Sequence, residues 1–525
     1  MSLGSRTVRA IVATTTTLTV GAGLAACSGS SPAAQTDGTF TIAYTQAPNS
    51  VDPATAAPAS FVWAAYEPLI YRDNDGSLRP ALATKWKYLD DKNKTFEITL
   101  RSGVTFSDGD ALTADAVKAS VNRFLKLPDN ADVRYAGDID SIEVTGKQTL
   151  VIHYGRSNPT AAVSLTQDYK MGLVISPTGL KNQDSLAAET HGAGQYVLDK
   201  ADTVSGSKYV FKRNDAYWNQ KAVKFDSVVQ TVLPDASAQL SALRSGQADA
   251  LWNTSADNVA TAKKAGFTYT SAGGDLQLLM LEDRKGKPLN SPLVREAFTY
   301  ALDRKSIAEA IYGGLATPAY SLVGSGSAGS YDAKEIEQDT AKARQLLKQA
   351  GHPDGITVSV LSSGGWDPNH TLATALQQQL AKSGITVELK SVGAALSDFI
   401  TPLMDTKYQS AQFGLSAGAD TYFQLTTNAY GTGALANVQQ TKDAELDSLL
   451  SRAATEQGDA YDSLLRQAVE RYDSLHYVIP IVTTNSHYLL AENITNVPTT
   501  SVQQQLSAFA PDADKSWGIS GTSSS

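Results

Sequence analysis

The chain of 525 residues carries 44 basic and 53 acidic residues, a net charge of −9, with 42% hydrophobic and 18% charged residues. This is the balance of ordinary globular domains, and the length is too great for one core, so two or three domains are expected. The acidic balance and the lack of any Lys/Arg-rich run argue against a nucleic-acid partner, and no two of the six histidines stand at i,i+3 or i,i+4, which leaves no metal site of His/Cys type.

At the N-terminus, Arg6 and Arg9 precede an uncharged stretch from Ala10 to Ala26 that ends in small residues. That is the pattern of a secretory leader, with a Thr-rich middle too weakly apolar to span a bilayer. Residues 1–26 are read as this leader, and its loss would leave 42 basic against 53 acidic residues, a charge of −11. Leu24-Ala25-Ala26-Cys27 resembles the lipobox of bacterial lipoproteins, in which the cysteine is acylated and becomes the new N-terminus. Cys27 is the only cysteine, so no disulfide can form within this chain. Residues 27–38 are rich in Ser, Gly and Ala and read as a flexible tether. No later segment reaches about 18 consecutive apolar residues, so no other membrane span is expected.

Strand and turn signals alternate through the first half. "TFTIAY" places Phe40, Ile42 and Tyr44 on one face, and "FEITL" does so with Phe96, Ile98 and Leu100. "TADAVKASVNRFL" is helical, with Thr113 as N-cap and Val117, Val121 and Phe124 sharing a face. "SIEVTGKQTLVIHY" reads as a hairpin around Gly146. The second half turns helical: "SPLVREAFTYALDRKSIAEAIYGG" has Ser291 as N-cap, Pro292 at the first helical position and Gly313 as stop. "TAKARQLLKQAGHP" is a helix through Ala343, Leu347 and Ala350 that ends at Gly351. "ITVSVL", "TLATALQQQLAKSG" and "ITVELKSV" then give strand, helix, strand at βαβ spacing, so a parallel sheet is expected there. "VGSGSAGS" (323–330) reads as a surface loop of this half.

Few motifs carry chemistry. "RDNDGSL" lacks the third ligand and distal Glu of a calcium loop and reads as a turn. Gly324 to Gly329 spells G-x-G-x-x-G, but a tyrosine and an acidic loop follow it where dinucleotide binding requires a helix N-terminus. Ser205 and Lys208 form an S-x-x-K without the companion motifs of penicillin-recognising enzymes. Gly414-Leu415-Ser416-Ala417-Gly418 matches the G-x-S-x-G nucleophile elbow, and Asp443 with His476 or His487 would supply the chain order of a triad. Against that, "ADTYFQLTT" is a poor helix opening and no HGGG-type oxyanion segment is present. A serine hydrolase using Ser416 is therefore the weakest functional reading, and no cofactor is indicated.

Taken together, "VDPATA", "YEPLIYRDNDGSLRPALATKWK", "FEITLRSGVTFSDGDALTADAVKASVNRF", "GAGQYVL", "KRNDAYWNQKAVKFDSVVQTVLPDASAQLSALRSGQADA", "SPLVREAFTYALDRKSIAEAIYGG" and "DTAKARQLLKQAGHPDG" occur in an order that resembles the family 5 extracytoplasmic solute-binding proteins of ABC importers. That group includes the dipeptide- and oligopeptide-binding proteins. The resemblance implies an α/β fold, a two-lobe periplasmic-binding-protein-like clamshell of class II type with a small extra domain inserted in the first lobe. On this pattern the first lobe is 39–78 with 189–289 and 481–525, the inserted domain is 79–188, and the second lobe is 290–480. It also implies a monomer without enzymatic activity, partnered by a peptide or small-molecule ligand and by a membrane permease with its ATPase. A non-peptide solute (an oligosaccharide, a nickel chelate or an opine) is the alternative.

Candidate ligand-binding residues stand at strand-to-loop transitions: Trp63 and Tyr66 after the "VDPATA" loop, Trp252 and Asn253 after "SGQADA", and Trp366 after "ITVSVLSSGG". For each aromatic, core and cleft are equally open on the sequence. In peptide-binding relatives the segment around "GADTYF" reads roughly W-x-A-D-Y-x-D-P and its carboxylate meets the ligand's ammonium group. That resemblance adds Ser416, Asp420 and Tyr422 as candidates, although the second Asp and the Pro are missing here. Asp420 capping a turn is the other reading. If Cys27 bears the lipid, Cys27→Ser should move the protein from the membrane fraction to the soluble fraction or medium; a mutant still membrane-bound and acylated would contradict the anchor.

Overall fold

Period-two burial sets the strands. In Thr39–Tyr44, Phe40 and Ile42 turn inward, and in Thr95–Leu100 the buried set is Phe96, Ile98 and Leu100. The computed structural model describes residues 38–520 apart from 129, 253–254, 282–285, 405–407, 417–418 and 504. The leader and Cys27 lie outside the described residues.

Among the described residues, twelve strands join into one sheet. One end is the trio Ile385–Val392, Ile356–Ser363 and Ser410–Ser416. The other end runs Ala250–Trp252, Thr39–Tyr44, Ser227–Val232, Lys208–Arg213 and Tyr196–Leu198. Between them lie two long strands, Thr268–Leu281 and Val478–Leu490, paired antiparallel with each other. Ile356–Ser363 and Ile385–Val392 are parallel, with helix Thr371–Ala381 between them in sequence, as the βαβ spacing predicts.

Alternation along the first long strand divides two cores. Leu278 and Met280 pack with Phe413, Leu425 and Tyr472, whereas Leu279 and Leu281 pack with Phe298, Leu347 and Leu376. This part of the sheet is thus covered on both faces by helical segments. Phe40, Phe61, Tyr196, Phe211 and Trp517 make a further core at the other end.

A separate four-stranded antiparallel sheet holds Ala83–Tyr88, Thr95–Leu100, Thr149–Tyr154 and Ile139–Gly146. The last two form the expected hairpin, turned by Lys147 and Gln148. Helix Ala114–Lys126 lays Val117, Val121 and Phe124 against it, and the Thr113 side chain accepts the Ala116 N–H at its N-cap.

Three local expectations change. The stretch from Pro292 to Tyr312 is two helices, Pro292–Ala301 and Arg304–Tyr312, and the Ser291 side chain makes no capping bond. The break falls at Leu302, which is extended, and at Asp303, whose carboxylate caps the Ser306 N–H while its own N–H donates to Gln379 Oε1. "DTYFQLTTNA" is helical after all: a single α-turn, Thr421–Phe423, runs into the π-helical Gln424–Ala429. The "VGSGSAGS" loop is not wholly at the surface, since Ala328 O accepts from Thr421 Oγ1 and Val323 is buried. In "RDNDGSL", Asp73 is taken by Arg79 at 2.7 Å and by Lys515, so the acid serves ion pairs at the turn.

Glu67 sits where two cores meet. Trp218 packs against both and donates its indole N–H to Glu67 at 2.9 Å, Tyr217 OH donates as well, and Arg101 lies over the Trp218 ring. Burial pushes the Glu67 carboxyl up to about 7 against these partners. The folded state holds this proton where an unfolded chain has released it. The stability it contributes is fully present below about pH 4.5 and is lost as pH rises through about 7. Glu67→Gln should therefore flatten that part of the stability curve, adding up to about 3 kcal/mol over wild type at pH 8 and little at pH 4. Urea midpoints at the two pH values check this, and an equal shift at both would contradict it.

Candidate functional site

Three walls, assembled from well-separated parts of the chain, converge on one cavity of about 380 Å³. From the core of Phe40 and Phe61 come Ala56 to Ala59 and Trp63. The covered end of the large sheet supplies Trp366, Gly414 to Ser416, Ala419 and Asn428, while Asp275 comes from the middle of the first long strand. The third wall is built from two short 3₁₀ turns beside the small sheet, Ala131–Tyr135 and Gln167–Tyr169, with Lys170 in the left-handed region after the second.

Small residues shape the floor. A Cβ on Gly414 would stand 2.8 Å from Trp366 Cδ1, so glycine here lets the indole lie directly on the strand. Trp366 is backed by Phe399 and Phe413 at ring distances of 5.1 and 6.0 Å. Beneath it, buried Gln277, Gln412 and Ser362 form a hydrogen-bonded row across three strands that ends on His370 Nδ1. With partners for each member, such a row fixes strand positions under the site.

Two walls touch directly. The rings of Tyr135, Tyr169 and Phe423 pack mutually, with centroids 5.1, 5.0 and 5.4 Å apart. The Asp420 N–H donates to Tyr169 OH at 2.7 Å, and Tyr135 OH donates to Asn428 Oδ1 at 3.0 Å. Asn428 is itself held by Gln424, its neighbour one turn back in the π-helical segment. Farther off, the Asn93 amide donates to Ala454 O and Glu456 O. The small-sheet region and the helical region beyond Ser416 are thus clasped in the described conformation.

Of the expected site residues, Trp63, Trp366 and Ser416 line the cavity. Tyr66 is wholly buried in the core, its OH accepting the His191 N–H, and Trp252 packs on Tyr44. Asn253 lies outside the described residues. Tyr422 is half-buried against Tyr461, off the cavity wall. Asp420 caps the short helix, its carboxylate accepting the Tyr422 and Phe423 N–H groups. Burial pushes the Asp420 carboxyl up, opposed by the nearby Arg72 cation and by these two amides.

Ser416 does end a strand and precede a helix, but the groups a nucleophile needs are held elsewhere. Asp443 pairs with Arg471 at 2.6 Å. His476 closes helix Gly458–Leu475 in the left-handed region. His487 bonds Tyr269 OH at 3.0 Å and is pushed down to about 4 by burial. Among the described residues no cluster of three or more His, Cys, Asp or Glu could hold a metal, and no helix is long and apolar enough to cross a membrane.

The sequence reading missed the wall made by Asp132, Arg134, Tyr135, Asp168, Tyr169 and Lys170. A signal was present: "DVRY" and "QDYK" each set an aromatic among charges between regular elements, where binding residues concentrate.

A model of bacterial extracellular solute-binding proteins, family 5 Middle, matches residues 77–435. The glutathione-binding protein GsiB of Salmonella paratyphi A is 30% identical over 333 residues, a match that covers 63% of this chain and spans 64% of that protein's length. A Helicobacter pylori structure, the periplasmic binding protein DppA with the peptide STSA, aligns over 92% of this chain and 98% of its own, with a TM-score of 0.71 at 22% identity. The A. tumefaciens binding protein AgaA with agropinic acid aligns over 92% and 99%, with a TM-score of 0.72 at 22% identity. The fold is thus the two-lobed α/β clamshell of periplasmic binding proteins.

If the aromatic trio holds the walls together, Phe423→Ala should open them, and Tyr169→Phe should do so less, by removing about 1 kcal/mol of hydrogen bonding. Small-angle scattering should then give radii of gyration in the order Phe423→Ala, Tyr169→Phe, wild type, the largest first. Identical radii for all three would contradict the clasp.

Proposed function

The chain belongs to the family 5 bacterial extracellular solute-binding proteins, and we propose that it captures peptides outside the cytoplasm and delivers them to the permease and ATPase of an ABC importer. The observation that carries this reading is the cavity of about 380 Å³ with three walls, two of which touch each other directly. Its volume and its mix of indole, tyrosine and a few polar groups suit a small organic solute. Such a site works by closure: solute binds the closed arrangement better than the open one, and the closed form is the one a permease reads.

On this reading the moving parts are 39–78 with 189–289 and 481–525, the inserted 79–188, and 290–480. Trp63 and Trp366 serve as apolar platforms, and Ser416 is wall. The chain acts as a monomer hung from the outer face of the membrane by lipid on Cys27. Peptide is favoured over other solutes by the relatives named as glutathione-binding and by the neighbour solved with STSA.

Native mass spectrometry of the protein purified without unfolding tests the proposal, because a closed site retains its solute. A retained mass that fragments as a peptide is the expected result. A retained opine, sugar or nickel chelate would replace peptide with that solute. Turnover of ester substrates that is lost in Ser416→Ala would overturn the binding reading altogether.

A further inference from the structure

The charges of the cavity wall are not equivalent. Asp132 pairs with Lys170 at 2.9 Å, and Asp168 pairs with the buried Arg72 at 3.1 Å. Asp275, on the first long strand, is engaged as well. Asp420, just off the wall, spends its carboxylate on two backbone N–H groups. Arg134 differs. It is exposed at the wall, no carboxylate lies within ion-pair distance of it among the described residues, and its guanidinium stands 4.8 Å over the Tyr135 ring.

A guanidinium laid over an aromatic ring keeps its in-plane N–H fork free, the edge that matches a carboxylate with two parallel hydrogen bonds. The platform is also fixed from the far side of the cavity. Tyr135 packs on Phe423 at 5.4 Å and donates to Asn428, both from the opposite wall. Arg134 is therefore presented on a surface that is complete only when the walls meet.

Resting on the solute-binding reading above, we propose that Arg134 is the carboxylate-reading residue of this cavity, so that the solutes it holds carry a free carboxylate. For a peptide this group is the C-terminus or an acidic side chain. Because Phe423 and Asn428 steady the platform, carboxylate recognition and wall closure favour each other. Lys170 does not substitute for Arg134, since its ammonium is already held by Asp132.

The test uses the full chain, stripped of solute, in equilibrium dialysis with mass-spectrometric readout. The probe is a mixture of tripeptides without acidic side chains and of small non-peptide acids, each supplied as the free acid and as its amide or methyl ester. Wild type should retain free-acid tripeptides at least about tenfold better than their amides. Arg134→Gln should lose that preference, and Arg134→Lys should keep part of it. An undiminished preference in Arg134→Gln overturns the assignment, as does a wild type that retains acids and amides equally. Retention of non-peptide acids alone, still dependent on Arg134, overturns the peptide reading and keeps the assignment. Retention of nothing overturns both.

Discussion

Two strands hold the whole arrangement together. Thr268–Leu281 and Val478–Leu490 pair along most of their length, and each also pairs outward: the first with Ser410–Ser416, the second with Ala250–Trp252. The sheet is continuous through them, so the core of Phe40 and Trp517 and the cores of Phe298 and Phe413 share a backbone hydrogen-bonded connection. The register of the pair shifts between Ala272 and Asp275, where a Cβ on Gly274 would fall 1.7 Å from Thr484 O. A ladder irregularity bends a strand locally, and this one lies beside Asp275 and Ser416, at the floor of the cavity.

The cavity follows from that connection. The strands deliver Trp366 and Gly414 to Ser416 at one side and Trp63 at the other, while the small sheet brings its 3₁₀ turns over the gap. Contact between those turns and Phe423, Asp420 and Asn428 is aromatic and polar, with three rings and two hydrogen bonds. Such a contact is strong enough to define a closed arrangement and small enough to be released, since each net hydrogen bond contributes only about 1 kcal/mol. Solute capture needs that balance.

Regular elements were legible in the sequence because their periodicity is local. The run from Ile356 to Val392 declared strand, helix and strand, and Thr113 declared its helix start. Asp303 was harder, because a capping acid inside an apolar-periodic stretch looks like a surface charge until its N–H finds Gln379. The site was legible only in part. Trp63, Trp252 and Trp366 have equivalent sequence settings, yet Trp252 lies in the core against Tyr44 while the other two reach the cavity. What separates them is which wall the topology brings opposite, a long-range property. Arg134 and Tyr169 sit in short turns with no periodicity to mark them. The order of motifs along the chain carried the family membership, which the match over residues 77–435 supports independently.

On the solute-binding reading, the two clasped regions separate and rejoin with solute. Electron–electron resonance distances between spin labels on cysteines replacing Asp115, on the helix beside the small sheet, and Gln467, on helix Gly458–Leu475 beyond Ser416, measure this directly. Both positions are exposed. Protein carrying its retained solute should give one narrow distance, and stripping the solute should shift the distribution and broaden it, with recovery on adding the solute back. A distribution indifferent to the solute would contradict the account.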